Sequence, residues 1–279
     1  MKLISLIFLL SRPLNILIAI ASILIMSIIL NDMNWINLTL TSLVLLFYMS
    51  GANILNDYID IGADCINKPH RILVSNTINP HIIIIVIIFM FSMGSIFASY
   101  LPLSAMRIAL FFALPSILLY EFFLKRIPLI GNIIISLLVG IVFVFVAYSL
   151  NAQTYDAYKL MILAFFLNLI REIIKDIQDM PGDHKSGLLT LPLYIGIRKT
   201  VITIRLIYLL FFIVSLLPMY TQVYNWQYIP LLVFLIHTPL LYITARLNDD
   251  ITQDECSKFS KFLKIIIING IIIILISAK

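Results

Sequence analysis

The sequence predicts an all-α integral membrane protein: nine transmembrane helices, in two four-helix pseudo-repeats plus a ninth helix, around a central cavity. Three observations lead there. Of the 279 residues, 62% are hydrophobic and only 12% charged, and mean hydropathy is +1.07, which leaves almost no room for a soluble fold. Apolar stretches long enough to cross a bilayer recur along the chain. A pattern of aspartates near the end of the second stretch returns near the end of the sixth.

Taken in order, the expected spans are about 14–31, 36–56, 81–100, 105–124, 129–150, 157–178, 200–220, 228–246 and 262–278. Ahead of the first, "MKLISLIFLL" has the lysine and short apolar run of a signal peptide. Arg12 and Pro13 follow it and no small-residue cleavage site precedes the next span, so it reads as retained. The fourth span is interrupted by Arg107 and Pro115, and the sixth runs into charges. With the N-terminus inside, all nineteen lysines and arginines except Arg107, Lys159 and Lys279 fall on the cytoplasmic side, as the positive-inside rule asks. Trp35 and Trp226 fall on the other side, as interfacial anchors. An even number of intervening spans then gives both aspartate clusters the same, cytoplasmic orientation, which is the argument for parallel repeats whose clusters face a shared cavity. Cys65 and Cys256 have no partner at metal-ligand spacing and suggest neither a disulfide framework nor a zinc site. His70, His81, His184 and His237 form no ligand pair; His237 reads as a core or groove residue. With no linker, soluble domain or lipidation box, the chain reads as one membrane domain.

The chemistry sits in "NDYIDIGAD" (56–64) and "KDIQDMPGD" (175–183). Asp57, Asp60 and Asp64 have the same three-then-four spacing as Asp176, Asp179 and Asp183, which puts each set on one helix face. Gly62 and Pro181-Gly182 predict that each helix ends partway through, leaving Asp64 and Asp183 on the following loops. These aspartates and Glu172 make up half of the chain's fourteen acidic residues. An aspartate at the centre of a membrane helix costs about 2.5–3.5 kcal/mol, so something cationic must offset them. Oxygen-only ligands select magnesium over zinc or copper, and magnesium prefers one or two carboxylates, several waters and phosphate oxygens. A diphosphate is therefore the expected missing ligand. Lys68, Arg71, Arg171, Lys175 and Lys185 lie close by in sequence and supply positive charge for it, although ordinary positive-inside topology also accounts for a lysine taken singly.

These residues resemble the UbiA-type intramembrane prenyltransferases, which join an isoprenoid diphosphate to a lipophilic or aromatic acceptor. "NILNDYIDIGADCINKPHR" resembles the family's first motif and "REIIKDIQDMPGDHKSGLLTLPLYIG" its second. "LYEFFLKRIPLIGN", with Tyr120 and Lys125, is similar to the segment after the fourth helix, and "SRPLN" to the start of the first. The resemblance spans nearly all of residues 1–279. "INKP" with the second motif is most similar to the branch that adds a second geranylgeranyl chain to geranylgeranylglyceryl phosphate. Two departures stand out: Ile72 where a proline is common, and Pro181 in place of an acidic residue.

The resemblance implies that Asn56, Asp57, Asp60, Asp176 and Asp179 hold Mg2+ against a prenyl diphosphate. It implies further that Lys68, Arg71 and Lys125 contact the departing diphosphate, and that Tyr120 either faces the allylic cation or serves as an interfacial anchor like other tyrosines of the chain. Asp64 and Asp183 either bind through water or pair with Lys68 and Lys185. Arg171 meets an anionic acceptor or forms a salt bridge to Asp176 or Glu172. Asn53 extends the polar face or makes a helix-packing hydrogen bond. The expected partners are the prenyl diphosphate, a lipophilic acceptor and membrane lipids, with no nucleic acid and no obligate protein partner; the expected location is a prokaryotic plasma membrane. An aromatic acceptor such as 4-hydroxybenzoate is the alternative within the enzyme class. Outside it, a cation transporter would also use paired intramembrane carboxylates, but transport sites lie near the midplane rather than at the cytoplasmic ends. A non-catalytic lipid-binding scaffold is the remaining rival.

Overall fold

The structure, a computed structural model, describes residues 3–75, 78–216 and 225–277. Every regular element among the described residues is helical. Six of these helices are long and apolar enough to cross a membrane: Trp35–Ile59, Pro80–Ala98, Leu103–Phe122, Ile130–Ser149, Tyr228–Arg246 and Gln253–Ser277. Helices also occupy the other expected spans, at Pro13–Ile29, Tyr155–Lys185 and Ile197–Ser215. The first of these is shorter. The second carries Lys159, Arg171 and Glu172, and the third Arg198, Lys199 and Arg205, which lower their apolar character. Lys2, Lys279 and the expected end of the seventh span, 217–220, lie outside the described residues.

The chain forms two compact units. One comprises the chain to Leu124 with Val142–Thr154 and Pro181–Gly187; the other comprises Lys125–Ile141, Tyr155–Met180 and the chain from Leu188 onward.

In the first unit α1 (Leu3–Leu10) ends two residues before Arg12, whose backbone is left-handed (φ 56°, ψ 64°), and α2 (Pro13–Ile29) begins on the residue after it. Pro13 suits that first helical position, where an N–H would have no partner. Asn34 starts α3 (Trp35–Ile59) by accepting from Asn37 N at 3.2 Å, and Asn79 caps α6 (Pro80–Ala98) in the same manner. α3 and α6 pack closely: Gly94 leaves room for the Tyr48 ring, and the Tyr48 hydroxyl meets Ser95 Oγ at 2.9 Å. Ile54 and Leu55 of α3 join Leu10, Leu73, Ile83 and Ile87 in a buried apolar cluster. Between α3 and α6 lie α4 (Ile61–Asn67) and α5 (Ile72–Ser75). The last apolar stretch of the unit is α7 (Leu103–Arg107), a π turn (Ile108–Ala113) and α8 (Leu114–Phe122). Pro115 accounts for the π turn: it has no N–H for the carbonyl four residues back, and the helix widens there.

α9 (Ile130–Ser149) and α10 (Tyr155–Lys185) begin in the second unit and end in the first. Within the second unit they nearly touch: a Cβ on Gly140 would stand 2.6 Å from Met161 O. α11 (Leu191–Ile195) and α12 (Ile197–Ser215) follow, then α13 (Tyr228–Leu232), a second π turn (Val233–His237), α14 (Thr238–Arg246) and α15 (Gln253–Ser277). Pro239 follows this π turn at the same offset as Pro115 follows the first, so the fourth and eighth expected spans share one local device. His237 is buried, as expected of a core residue, with Nε2 2.9 Å from Ser215 Oγ and its ring 4.8 Å from that of Phe212. Arg205 donates to Thr244 O (3.2 Å) and Leu247 O (2.9 Å), closing the carbonyl end of α14. Leu206, Leu209, Leu210 and Ile213 are exposed along α12, a row of apolar side chains suited to lipid.

Two expected helix ends are corrected. Asp64 lies within α4, not on a loop, because the chain bends at Asp60 rather than at Gly62 and the backbone ladder persists across the bend (Asp64 N to Asp60 O, 2.8 Å). Asp183 likewise lies in α10, which continues through Pro181 to Lys185. There a tertiary contact supports the turn: Gly182 N donates to Asn67 Oδ1 at 2.9 Å.

The close approach of α9 and α10 predicts that Gly140→Val destabilises the protein by about 1–3 kcal/mol through overpacking. Denaturant-induced unfolding in micelles measures it, and an unchanged midpoint would contradict the packing described.

Candidate functional site

In the first unit the last turns of α3 deliver Asn53, Asn56 and Asp57, and Asp60 is the hinge into α4 (φ −89°, ψ 8°), a sparsely populated region common at active sites. Asp57 is 7% exposed, and its Oδ1 accepts from two guanidiniums: Arg71 Nη1 at 2.9 Å and Arg12 Nη2, in a short charge-assisted bond. Arg71 Nη1 also bonds Asp64 Oδ2, so one guanidinium holds two carboxylates of the motif. Burial raises the Asp64 pKa, against the opposing pull of Arg71 and Lys68; the negative charge of Asp60 adds to the rise. Asn56 turns its Nδ2 toward Asp60 Oδ2 (2.9 Å) and Glu121 Oε2 (3.2 Å), which leaves its Oδ1 on the side of Arg12 Nη2, 3.4 Å away. Asn53 makes the packing bond, donating to Ser11 O at 2.9 Å.

Lys68 closes α4 at its C-terminal end. The last turn of α10 places Asp183 in a buried position and Lys185 at the exposed helix end. Tyr120 is half-buried on α8, beside the fully buried Glu121.

In the second unit Asp176 Oδ2 accepts from Asn132 Nδ2 of α9 at 2.8 Å. One helical turn earlier, Glu172 is buried between Arg171 Nη1 (2.5 Å) and Lys175 Nζ (3.0 Å), so the salt bridge open to Arg171 is the one to Glu172. Arg171 Nε is buried without a hydrogen-bond partner among the described residues. Asp179 lies half-buried on the same helix, and Lys125 lies half-buried in the 3₁₀ turn Leu124–Arg126.

Asp57, Asp60, Asp64, Asn56 and Arg71 are thus brought together within the first unit, while Asp176, Lys175 and Arg171 have partners of their own within the second. Arg12, Glu121, Asn132 and Asn67 were not singled out from sequence. Arg12 and Glu121 did carry a signal, since an isolated charge in an apolar stretch must find a partner. Asn132 and Asn67 lie in stretches quoted for the resemblance, but nothing in their spacing named the partners they meet. Among the described residues no three His, Cys, Asp or Glu side chains form a group able to hold a metal ion. The donors present are carboxylate and amide oxygens beside fixed cations, a set that suits a hard cation carrying its own anion.

The UbiA prenyltransferase family model matches residues 17–266. Digeranylgeranylglyceryl phosphate synthase of Methanobrevibacter smithii is 31% identical over 266 residues, 90% of either chain. That of Methanopyrus kandleri is 34% identical over 226 residues, 80% of this chain and 81% of its own. A solved structure described as digeranylgeranylglyceryl phosphate synthase in membranes superposes with a TM-score of 0.79 at 27% identity, over 99% of each chain. A UbiA homolog from Archaeoglobus fulgidus bound to DMAPP and Mg2+ shares the fold, with a TM-score of 0.69 at 17% identity over 95% of this chain and 97% of its own.

Arg71 serves two buried carboxylates, so Arg71→Leu is expected to cost about 3–5 kcal/mol, the usual penalty for stranding a buried charge. Adding Asp64→Asn should recover part of the loss. Thermal unfolding of the single and double variants checks this, and strictly additive losses would mean that the two side chains do not interact.

Proposed function

The chain belongs to the UbiA prenyltransferase family, and from that premise we propose that it transfers a geranylgeranyl group from its diphosphate to geranylgeranylglyceryl phosphate in ether-lipid synthesis, with magnesium as cofactor. The observation that carries this reading is similarity, over 90% of the chain, to a relative named for that product.

The proposed magnesium ligands are Asn56, Asp57, Asp60, Asp176 and Asp179. Their oxygens fit the ion, which seldom takes an all-protein cage and completes its shell with water and phosphate. Magnesium, when bound, offsets the negative charge that builds on the diphosphate as the allylic carbon–oxygen bond breaks. Asn132 and Glu121 orient the chain's own ligands: one donates to Asp176, the other accepts from Asn56. Arg71, Lys68 and Lys125 supply fixed positive charge to the leaving diphosphate, and Arg71 is already braced by Asp57 and Asp64. Tyr120 turns its ring to the allylic cation. The allylic carbon exchanges its bond to the diphosphate oxygen for one to the acceptor's hydroxyl oxygen, whose proton is released. Arg171 binds the acceptor's phosphate, a role supported by the unsatisfied Nε beside the Glu172 pair. Lys175 keeps Glu172 neutralised, while Asp183 and Lys185 shape the end of α10.

The proposed topology has nine crossings in one membrane domain, with α2, α10 and α12 completing the six apolar spans and with N-terminus and motifs cytoplasmic, in the plasma membrane of a prokaryote. The shared π-turn-and-proline device of the fourth and eighth spans supports two parallel repeats.

Asp57→Ala and Asp176→Ala are each expected to abolish magnesium-dependent geranylgeranyl transfer while the protein still inserts and folds. Removal of magnesium with EDTA is expected to do the same to the unmodified protein, reversibly. Mass spectrometry of the lipid products reads both, and wild-type turnover by folded Asp57→Ala protein would exclude the assigned role.

A further inference from the structure

We propose that Asn67 is a positioning residue for this reaction: its side-chain carbonyl latches the last turn of α10 onto α4 and so fixes the second aspartate motif at its C-terminal end. The inference rests on the proposed binding of magnesium diphosphate by the motifs. Three features of the first unit point to it. Gly182 N donates to Asn67 Oδ1 at 2.9 Å, directly after Pro181, which has no N–H to give. The backbones are so close that only glycine fits: a Cβ at Gly182 would stand 2.5 Å from Ala63 O and run into the Asn67 amide. One turn further on, Ser186 Oγ lies 3.7 Å from where a Cβ of Gly62 would be, so α4 follows the end of α10 over successive turns.

The latch sits between the two motif ends. Asp64 is buried on α4 and Asp183 is buried next to Gly182. α10 is one continuous helix, so Asp183 in the held turn is in helical register with Asp179 and Asp176, one and two turns upstream. A neutral amide suits this place: it accepts the backbone N–H without adding charge beside Asp64 and Asp183. It also gives a purpose to the asparagine of "INKP", which no step of the reaction uses.

The test uses full-length protein in detergent, with geranylgeranyl thiolodiphosphate, an analogue that resists ionisation. Its binding is titrated calorimetrically across magnesium concentrations, and hydrogen exchange is followed at the Gly182 amide. Asn67→Ala and Gly182→Ala are each expected to raise the magnesium needed for binding about tenfold or more, and the double variant to be no worse than the worse single one. The Gly182 amide should be protected in the unmodified protein and released in Asn67→Ala. Unchanged binding by Asn67→Ala, or effects that multiply in the double variant, would overturn the latch. Should Asn67→Ala fail to fold, Asn67→Ser, neutral but one atom shorter and without the amide oxygen, must lose Gly182 protection; slow exchange there would equally overturn it. Failure of the folded unmodified protein to bind the analogue would count against the magnesium reading itself. Exchange at Gly182 would then decide the latch, and equal rates with and without the Asn67 amide would refute it.

Discussion

A carboxylate placed where water is scarce stays ionised only if fixed cations or hydrogen-bond donors face it, and the first motif is organised by that requirement. Asp57 has two guanidiniums on one oxygen, one reaching from the junction of α1 and α2 and the other from beyond α4. Arg71 spans two of the motif's aspartates. In the second unit the same requirement is met differently: Asn132 donates to Asp176, while Arg171 and Lys175 enclose Glu172. Acid groups held against counter-charge in this way are primed for a ligand that is itself a cation–anion pair, because such a ligand can exchange with those partners without leaving a bare charge behind.

Several irregularities of the backbone serve this arrangement. The left-handed turn at Arg12 lets α1 end and α2 begin within two residues, and it places the guanidinium against Asp57 and Asn56. The hinge at Asp60 separates α4 from α3 while Asp60 N still bonds Asn56 O and Asp64 N bonds Asp60 O, and Asp57 and Asp64 share Arg71 across it. Pro181 and Gly182 shape the end of α10, and glycine permits a backbone approach that a side chain would block. Apolar packing holds these pieces from behind: Leu10 of α1, Ile54 and Leu55 of α3 and Leu73 of α5 are members of one buried cluster.

Much of this was legible in the sequence, for a physical reason. Helix placement depends on local composition at bilayer length, so six of the expected spans coincide with helices long and apolar enough to cross a membrane, and the recurrence of the aspartate spacing needs no structure to be seen. Partnerships were less legible because they depend on how distant segments pack. Nothing in "SRPLN" says that its arginine meets an aspartate 45 residues later, and nothing in "IGN" says that Asn132 meets Asp176. The expected breaks at Gly62 and Pro181 failed because local propensity was outweighed: two residues before Gly62, at Asp60, the bend had already been taken up, and at Pro181 the neighbouring α4 supplied an acceptor.

The acceptor defines the reaction as much as the donor does. The most direct measurement offers purified protein geranylgeranyl diphosphate and magnesium with an equimolar mixture of geranylgeranylglyceryl phosphate and 4-hydroxybenzoate, and identifies the prenylated product by mass spectrometry. The expected product is the doubly geranylgeranylated glyceryl phosphate alone. Prenylated 4-hydroxybenzoate alone would contradict it.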